Sequence, residues 1–479
     1  TFELDRKFVA SPHRAALTGP RYELLGKHWQ TDVELYRDEN VPLQTELTRL
    51  ATDYGKLCGK MIVEFRGQTY TLQQMGRFLD EPDRATREQA WRMVQNRRLE
   101  DRERIDGIFD RMLDKRQAVA AHADCEDYRA YVWRDWYRFD YTPADCLEFA
   151  DAIAECCVPV VEELDRERRA TLGVDRLRPW DLGVDAKGRP PLRPFDPKNV
   201  EDFVARTRTA LDRVSPRLGE QFAELKMGEN LDLDSRQGKR PGGFQSSLEL
   251  VQQPFIFMNA AGLQRDVETL LHEAGHAFHY LASRAEPLIF LRHAPLEFCE
   301  VASMSMELLA SPHFDVFYDE EANANRARRD LLEGIIRFFP WMATIDSFQH
   351  RLYTSGTPDA GERTRIWLEI RDRFESGEVD NTGIEAEREA LWQRQLHLFH
   401  YPFYYIEYGI AQLGALQVWR NYRQEPEATL SKLQDAFALG GSRPLPELFE
   451  TAGIEFDFSR RTLDPLIAML RDELAQIPD

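Results

Sequence analysis

Along most of the chain, apolar residues recur every three or four positions, the spacing of amphipathic helices. This period predicts helices over about residues 21–60 and long, charged helical segments over 86–121. Between them, residues 61–71 (MIVEFRGQTYT) carry β-forming side chains around Arg66-Gly67, the pattern of a short hairpin. At Thr142-Pro143-Ala144-Asp145 a cap residue, a proline at the first helical position and an acid three residues after the cap mark a helix start. The helix opened there is expected to run to about Leu172. Residues 177–197 are rich in Pro, Gly and Asp and form the best boundary, dividing 1–190 from 191–479. A polar loop over 228–243 leads into an extended segment over 244–258, and beyond Gln264 the helical period returns. The expectation is a mainly α protein with a little sheet and no internal repeat.

Composition narrows the function. The 479 residues are 43% hydrophobic and 30% charged, which suits a globular chain with a large core. A net charge of −20 with no basic stripe argues against a nucleic-acid partner. Six cysteines at irregular spacing, with Cys156 and Cys157 adjacent in an apolar run and no CxxC, point to buried thiols in a reducing compartment. No signal peptide or membrane span is visible, so a soluble cytoplasmic protein without a membrane partner is expected. The chain starts Thr1-Phe2-Glu3-Leu4 without an initiator Met, so its natural start is expected upstream. Oligomeric state leaves no mark.

The strongest chemical signal is His272-Glu273-Ala274-Gly275-His276, an HExxH segment. Four helical residues turn the chain by about 400°, so the two histidines point the same way and can share one cation. Glu273 sits about 100° round the helix, where it can hold a water beside that cation as general base. Glu268 and His279 fall within about 40° of His272, whereas Val267, Leu270, Ala274, Ala277, Phe278 and Leu281 lie on the far side. Glu268 is one turn before His272 and could accept its second ring N–H, or be a plain helix acid. For His279 a packed histidine is the favoured reading.

A catalytic zinc needs a third protein ligand and an open position. Position 282 is Ala, so no short-range third histidine follows. The helical segment LEFCEVASMSMELL (296–309) offers Glu297, Glu300 and Glu307 on one side. Glu300 is flanked by Phe298, Cys299, Val301 and Ala302, and an acid in such company must be paired or metal-bound. Composition favours Glu300 over Glu297 by a small margin.

At this point HEAGHAFH, followed by FCEVASMSMELL, resembles the oligoendopeptidase F and thimet oligopeptidase family of zinc peptidases. RFDYTPADCLEFA near residue 140, LRPWD at 177–181, PFIFMN before the HExxH segment and PFYYIEYGIAQLGA at 402–415 agree. The resemblance covers about residues 50–450 and is nearest the bacterial oligoendopeptidase F branch. It implies one Zn2+ per chain, held by His272, His276 and Glu300, with Glu268 supporting His272. It also implies a helical ellipsoid cut by a deep substrate channel beside a small sheet, an N-terminal helical lobe (1–190) and a catalytic lobe (191–479) enclosing one cleft. Ala274 departs from the family's larger residue there, on the core-facing side.

The tyrosine-rich segment has two readings. Pro402 as a helix start would align Tyr401, Tyr405 and Tyr408 on one face, and an aromatic core stripe is the bland account. The family instead uses a histidine followed by two tyrosines three residues apart to stabilise an oxyanion and contact substrate. Tyr405 and Tyr408 fit that spacing, with Tyr408 as oxyanion donor and Tyr401 and Tyr405 as substrate contacts. His397 lies eight residues before Tyr405 and is preferred, with His400 a competitor for substrate. By the same resemblance, residues 242–258 supply an edge strand for substrate pairing.

The expected activity is that of a zinc metalloendopeptidase cleaving internal bonds of short unfolded peptides. Alternatives are a dipeptidyl carboxypeptidase with the same zinc site and a catalytically silent peptide-binding protein.

Overall fold

In the computed structural model, residues 2–236, 239 and 242–478 are described, and helices dominate them. The elements used below are α1 (Asn40–Gly59), β1 (Ile62–Phe65), β2 (Gln68–Thr71), α2 (Arg84–Leu99) and α3 (Arg102–His122). Next come α4 (Pro143–Cys156), α5 (Val158–Leu172), β3 (Leu231–Asp234), β4 (Phe244–Leu248), β5 (Gln253–Ala260) and α6 (Gln264–Ser283). They continue with α7 (Leu296–Ala310), α8 (Glu321–Thr354), α9 (Ala360–Phe374), α10 (Leu396–His400), α11 (Tyr405–Tyr422) and α12 (Pro426–Ala438). The expected polar loop over 228–243 includes positions 237, 238, 240 and 241, which lie outside the described residues.

The chain forms two compact units from interleaved segments. The first takes residues up to Arg6, Gln30–Pro191 and Arg337–Ile406; the second takes Lys7–Trp29, Leu192–Ile336 and the chain from Glu407 onward. Where the sequence suggested one boundary after residue 190, the changeover after Pro191 is one of several.

In the first unit, β1 and β2 pair antiparallel around Arg66 (φ 51°) and Gly67 (φ 77°), the left-handed pair a tight hairpin requires. Thr142 caps α4 in a reciprocal box with Asp145. That helix stops at Cys156, and α5 begins at Val158 with Pro159 in its first turn, so the single helix expected to Leu172 is two. A proline has no N–H for the preceding turn and its ring crowds that turn's carbonyl, which forces the break. The LRPWD segment is an anchor: buried Asp181 accepts from Arg84 at 2.7 Å and Arg87 at 3.0 Å. Buried Arg116 of α3 donates to the carbonyls of Leu398 (2.9 Å) and Phe399 (2.7 Å), fixing α10.

In the second unit, a three-stranded sheet runs in the order β3-β5-β4, with β3 parallel and β4 antiparallel to β5. β4 is an edge strand, its residues alternating between exposed and half-buried. Helix α6 packs on β4, β5 and α7. It buries Val267, Leu270, Ala274, Ala277, Phe278 and Leu281, the face that a 100° turn per residue assigns to the core, and also Leu271 outside that face. Gly275 lets α7 come close. A Cβ there would stand 2.5 Å from the Ala302 carbonyl oxygen and 2.6 Å from Ser303 Cα.

Candidate metal centre

The approach of α7 to α6 brings three potential ligands together. His272 Nε2 lies 3.2 Å and His276 Nε2 3.7 Å from Glu300 Oε2, and the two imidazole centroids are 4.9 Å apart. Ligands bonded at about 2.1 Å to a tetrahedral zinc stand about 3.4 Å from one another, so the two contacts bracket the required separation. The rings are also oriented for the task. Nδ1 of His272 meets Glu307 Oε1 at 2.7 Å, and His276 bonds the backbone at Cys299, leaving both Nε2 atoms turned toward Glu300. The donor set of two imidazoles and one carboxylate therefore fits a zinc ion.

The charges point the same way. Burial would raise the Glu300 carboxyl, but His276 and His272 and the Ser303 hydroxyl (2.9 Å) pull it down to about 2. Burial opposes a charged ring at His272, yet Glu300 and Glu307 outweigh it and hold its pKa well above the histidine range. At His276 burial prevails and lowers it to about 4. Glu273 is pushed up to about 7, by burial first and also by the negative charge of Glu300 and Glu307, while His272 and a backbone hydrogen bond at Gln245 of β4 work against the rise.

A second cluster, Cys146, Asp346 and His350, is buried in the first unit. His350 Nε2 meets Asp346 one turn away at 3.1 Å, and Arg129 lies 3.5 Å from Nδ1. With all three groups sealed in the core, no open position is offered to substrate.

In the tyrosine segment, α10 ends at His400 and α11 begins at Tyr405. Tyr401 is therefore outside the helix, and Pro402 does not start it. Phe403, at φ +63°, turns the chain between the two helices. Tyr405 and Tyr408 share α11 one turn apart, as expected. His397 packs on Tyr405 (centroids 4.9 Å) and receives Gln395 Nε2 on Nδ1 at 2.7 Å. His400 instead turns toward α1, near Tyr54 (6.2 Å) and with a backbone bond at Ala51.

The sequence pattern of peptidase family M3 matches residues 77–466, well over half of the chain. The chain belongs to peptidase family M3. Oligopeptidase PepF of Bacillus subtilis (strain 168) is 24% identical over 271 residues, 55% of this chain and 39% of the relative. An oligoendopeptidase F homolog of Mycoplasma pneumoniae is 22% identical over 311 residues, 59% of this chain and 48% of the relative. The chain thus spans less than half the length of these two relatives. Among solved structures, PZ peptidase A with inhibitor 2 superposes at a TM-score of 0.91 and 28% identity, covering 99% of this chain and 84% of that one. The mainly α fold is shared across that comparison.

Within this M3 chain, the histidines of α6 and Glu300 come together, and Glu273 stands beside them. Glu268 does not support His272. Its Oε1 accepts from Gln264 at 3.1 Å, and its carboxyl is raised to about 8 by burial and the nearby Glu307. Glu307 has the role expected of Glu268, because α7 crosses α6 with that residue level with the outer nitrogen of His272. The sequence signal was present: Glu300 and Glu307 are two turns apart on one helix face. His279 is a packed histidine, stacked on Phe437 at 4.8 Å and edge-on to Phe298 at 5.8 Å.

Proposed function

We propose that the chain is a zinc-dependent oligoendopeptidase that hydrolyses internal bonds of short, unfolded peptides. The observation that carries this reading is the convergence of His272, His276 and Glu300 beside the buried carboxyl of Glu273. A zinc ion held by those three residues would polarise the scissile carbonyl and acidify a water. Glu273, buried next to His272 and Glu300, stands where a carboxylate can act as general base on that water. Its carboxylate takes a proton from the attacking water and returns it to the leaving amine nitrogen.

Among the described residues no strand pairs with the outer edge of β4, which favours extended backbone there, and its link to Glu273 at Gln245 would align a paired peptide with the base. From the resemblance to the family, we propose Tyr408 with His397 for the oxyanion, and Tyr405 and Tyr401 for substrate contact. His400 is the weaker substrate candidate, since it packs toward α1.

The test uses a short peptide blocked at both ends, wild type and Glu273→Gln, with bound metal quantified in each. Internal cleavage by wild type that disappears in the variant while zinc stays is the expected result. Removal of C-terminal dipeptides from unblocked peptides alone would replace the reading with a carboxypeptidase. Zinc-loaded wild type that cleaves no peptide would end it.

A further inference from the structure

The first unit contains a cavity of about 510 Å³ walled by α2, α9, the part of α8 after Arg337 and the segment 375–394. Volumes of this order hold small organic ligands. Five arginines reach it: Arg98, Arg337, Arg371, Arg388 and Arg394. Three have acids of their own. Arg337 meets Asp165 at 2.6 Å, Arg388 meets Asp372 at 2.6 Å and Glu375 at 2.7 Å, and Arg371 pairs with Glu375.

Arg98 and Arg394 differ. Among the described residues neither has an ion pair. The groups acting on Arg98 are the neutral Tyr54 and Cys58, and those acting on Arg394 are Arg98, Arg371 and Tyr405. Arg394 keeps contact with solvent, but the surrounding wall, with repulsion from Arg98 and Arg371, brings it down to about 10. Its guanidinium lies 5.0 Å from the Trp341 ring centroid, with Arg371 at 5.5 Å, and Trp341 Nε1 donates to Gln395 Oε1 at 3.3 Å. Glu387 also lines the space without pairing with either arginine.

Two uncompensated guanidinium groups facing one concave space make a site that an anion would relieve, and its low-dielectric walls strengthen the attraction. A guanidinium fork matches a carboxylate. Much of the remaining wall, including Leu72, Val94 and Pro340, is apolar and suits a hydrocarbon body better than a fully hydrated phosphate. We propose that this cavity binds a carboxylate borne on an apolar group, gripped by Arg98 and Arg394 with Trp341 as the wall beside it. The free C-terminal end of a peptide and a single acylated amino acid both present that chemistry. The proposal goes beyond the peptidase reading and stands independently of it, because its readout is binding and not turnover.

Isothermal titration with N-acetyl-Leu-Phe acid, its C-terminal amide, N-acetylphenylalanine and inorganic phosphate tests it. The acid should bind wild type and His272→Ala alike, about tenfold or more tighter than the amide. That preference should vanish in Arg98→Gln/Arg394→Gln. Weaker binding of N-acetylphenylalanine than of the dipeptide acid assigns the site to peptide ends, and equal binding assigns it to single residues; either supports the carboxylate site. Equal binding of acid and amide, phosphate binding as tightly as the acid, or a preference that survives the double variant would overturn it. So would a preference lost in His272→Ala, which would place the carboxylate at the metal centre. If the double variant loses its helical circular dichroism, Arg394→Gln alone, at a side chain that also reaches solvent, must lower the preference severalfold for the proposal to stand.

Discussion

Substituting one glycine should test whether the metal centre is set by how closely two helices approach. Gly275 lies between the two histidines, and its hydrogen faces α7 where a Cβ would come within 2.5 Å of the Ala302 carbonyl oxygen. Ordinary contact begins at 3.4 Å, so Gly275→Ala requires α7 to retreat by about 0.9 Å. The colliding atoms are backbone, so no side-chain rotation relieves them. Glu300 is two residues from Ala302 on the same helix, and its 3.2 Å separation from His272 Nε2 would widen toward about 4 Å.

Overpacking of this kind costs about 1–3 kcal/mol, offset by up to about 1 kcal/mol of better helix propensity for Ala over Gly. A ligand displaced by more than about 0.5 Å also leaves the geometry a zinc site tolerates. The expected result is a melting temperature lower by several degrees and zinc affinity weaker by about 10- to 100-fold. Competition with a chromophoric chelator measures the second, and thermal unfolding with and without zinc the first. Gly107→Ala is the control, because that glycine lies in α3 where an added Cβ would meet nothing within 4 Å, and it should be neutral or slightly stabilising. If Gly275→Ala kept wild-type zinc affinity and melting temperature, the claim that this contact positions Glu300 would be wrong.

Three further outcomes follow from the same geometry. Glu307→Gln should weaken zinc binding about tenfold or more, and Glu268→Gln far less, since Glu268 bonds Gln264 and not the ligand; chelator competition on both variants decides. Asp181→Asn leaves buried Arg87 without its carboxylate and should cost about 3 kcal/mol or more, read from urea unfolding. His279 is lowered to about 3, first by burial and then by His276 and His293, so its folded pKa is below the unfolded value of about 6.5. Its neutral form supports the fold above about pH 6.5, and that support fades as pH falls toward 3; at pH 5 the loss should be about 2 kcal/mol relative to pH 7.5, and His279→Phe should flatten the slope of unfolding midpoint against pH.

Features that depend on a few consecutive residues were legible in the sequence. The hairpin over 61–71 needed only Arg66-Gly67, where two left-handed residues fit the strand twist. The start of α4 needed only its cap, proline and acid. Prolines inside or beside a helical period are less legible, because their effect depends on the turn they interrupt. Pro159 divides α4 from α5, and Pro402 sits in a bend whose direction is set by Phe403, leaving Tyr401 off the helix it was expected to join. Periodicity also treats the chain as successive blocks, whereas the two units exchange segments at several points, and nothing in a local window records which distant segment returns.

The candidate metal centre divides along the same line. Spacing on one helix is enough to pair His272 with His276, because the turn angle is fixed by the backbone. Which acid serves which histidine depends on the crossing of two helices, and that crossing is governed by the smallest residue at the contact, Gly275. From α6 alone, Glu268 is the nearest acid to His272. Once α7 settles against Gly275, Glu300 arrives at Nε2 and Glu307 at Nδ1, and Glu268 faces another carboxylate instead of a ligand. Its carboxyl is raised to about 8, first by burial and then by the neighbouring Glu307, which is the opposite of what a carboxylate supporting a ligand would show. The role of each acid is thus decided by the glycine that sets the helix contact, three positions after His272.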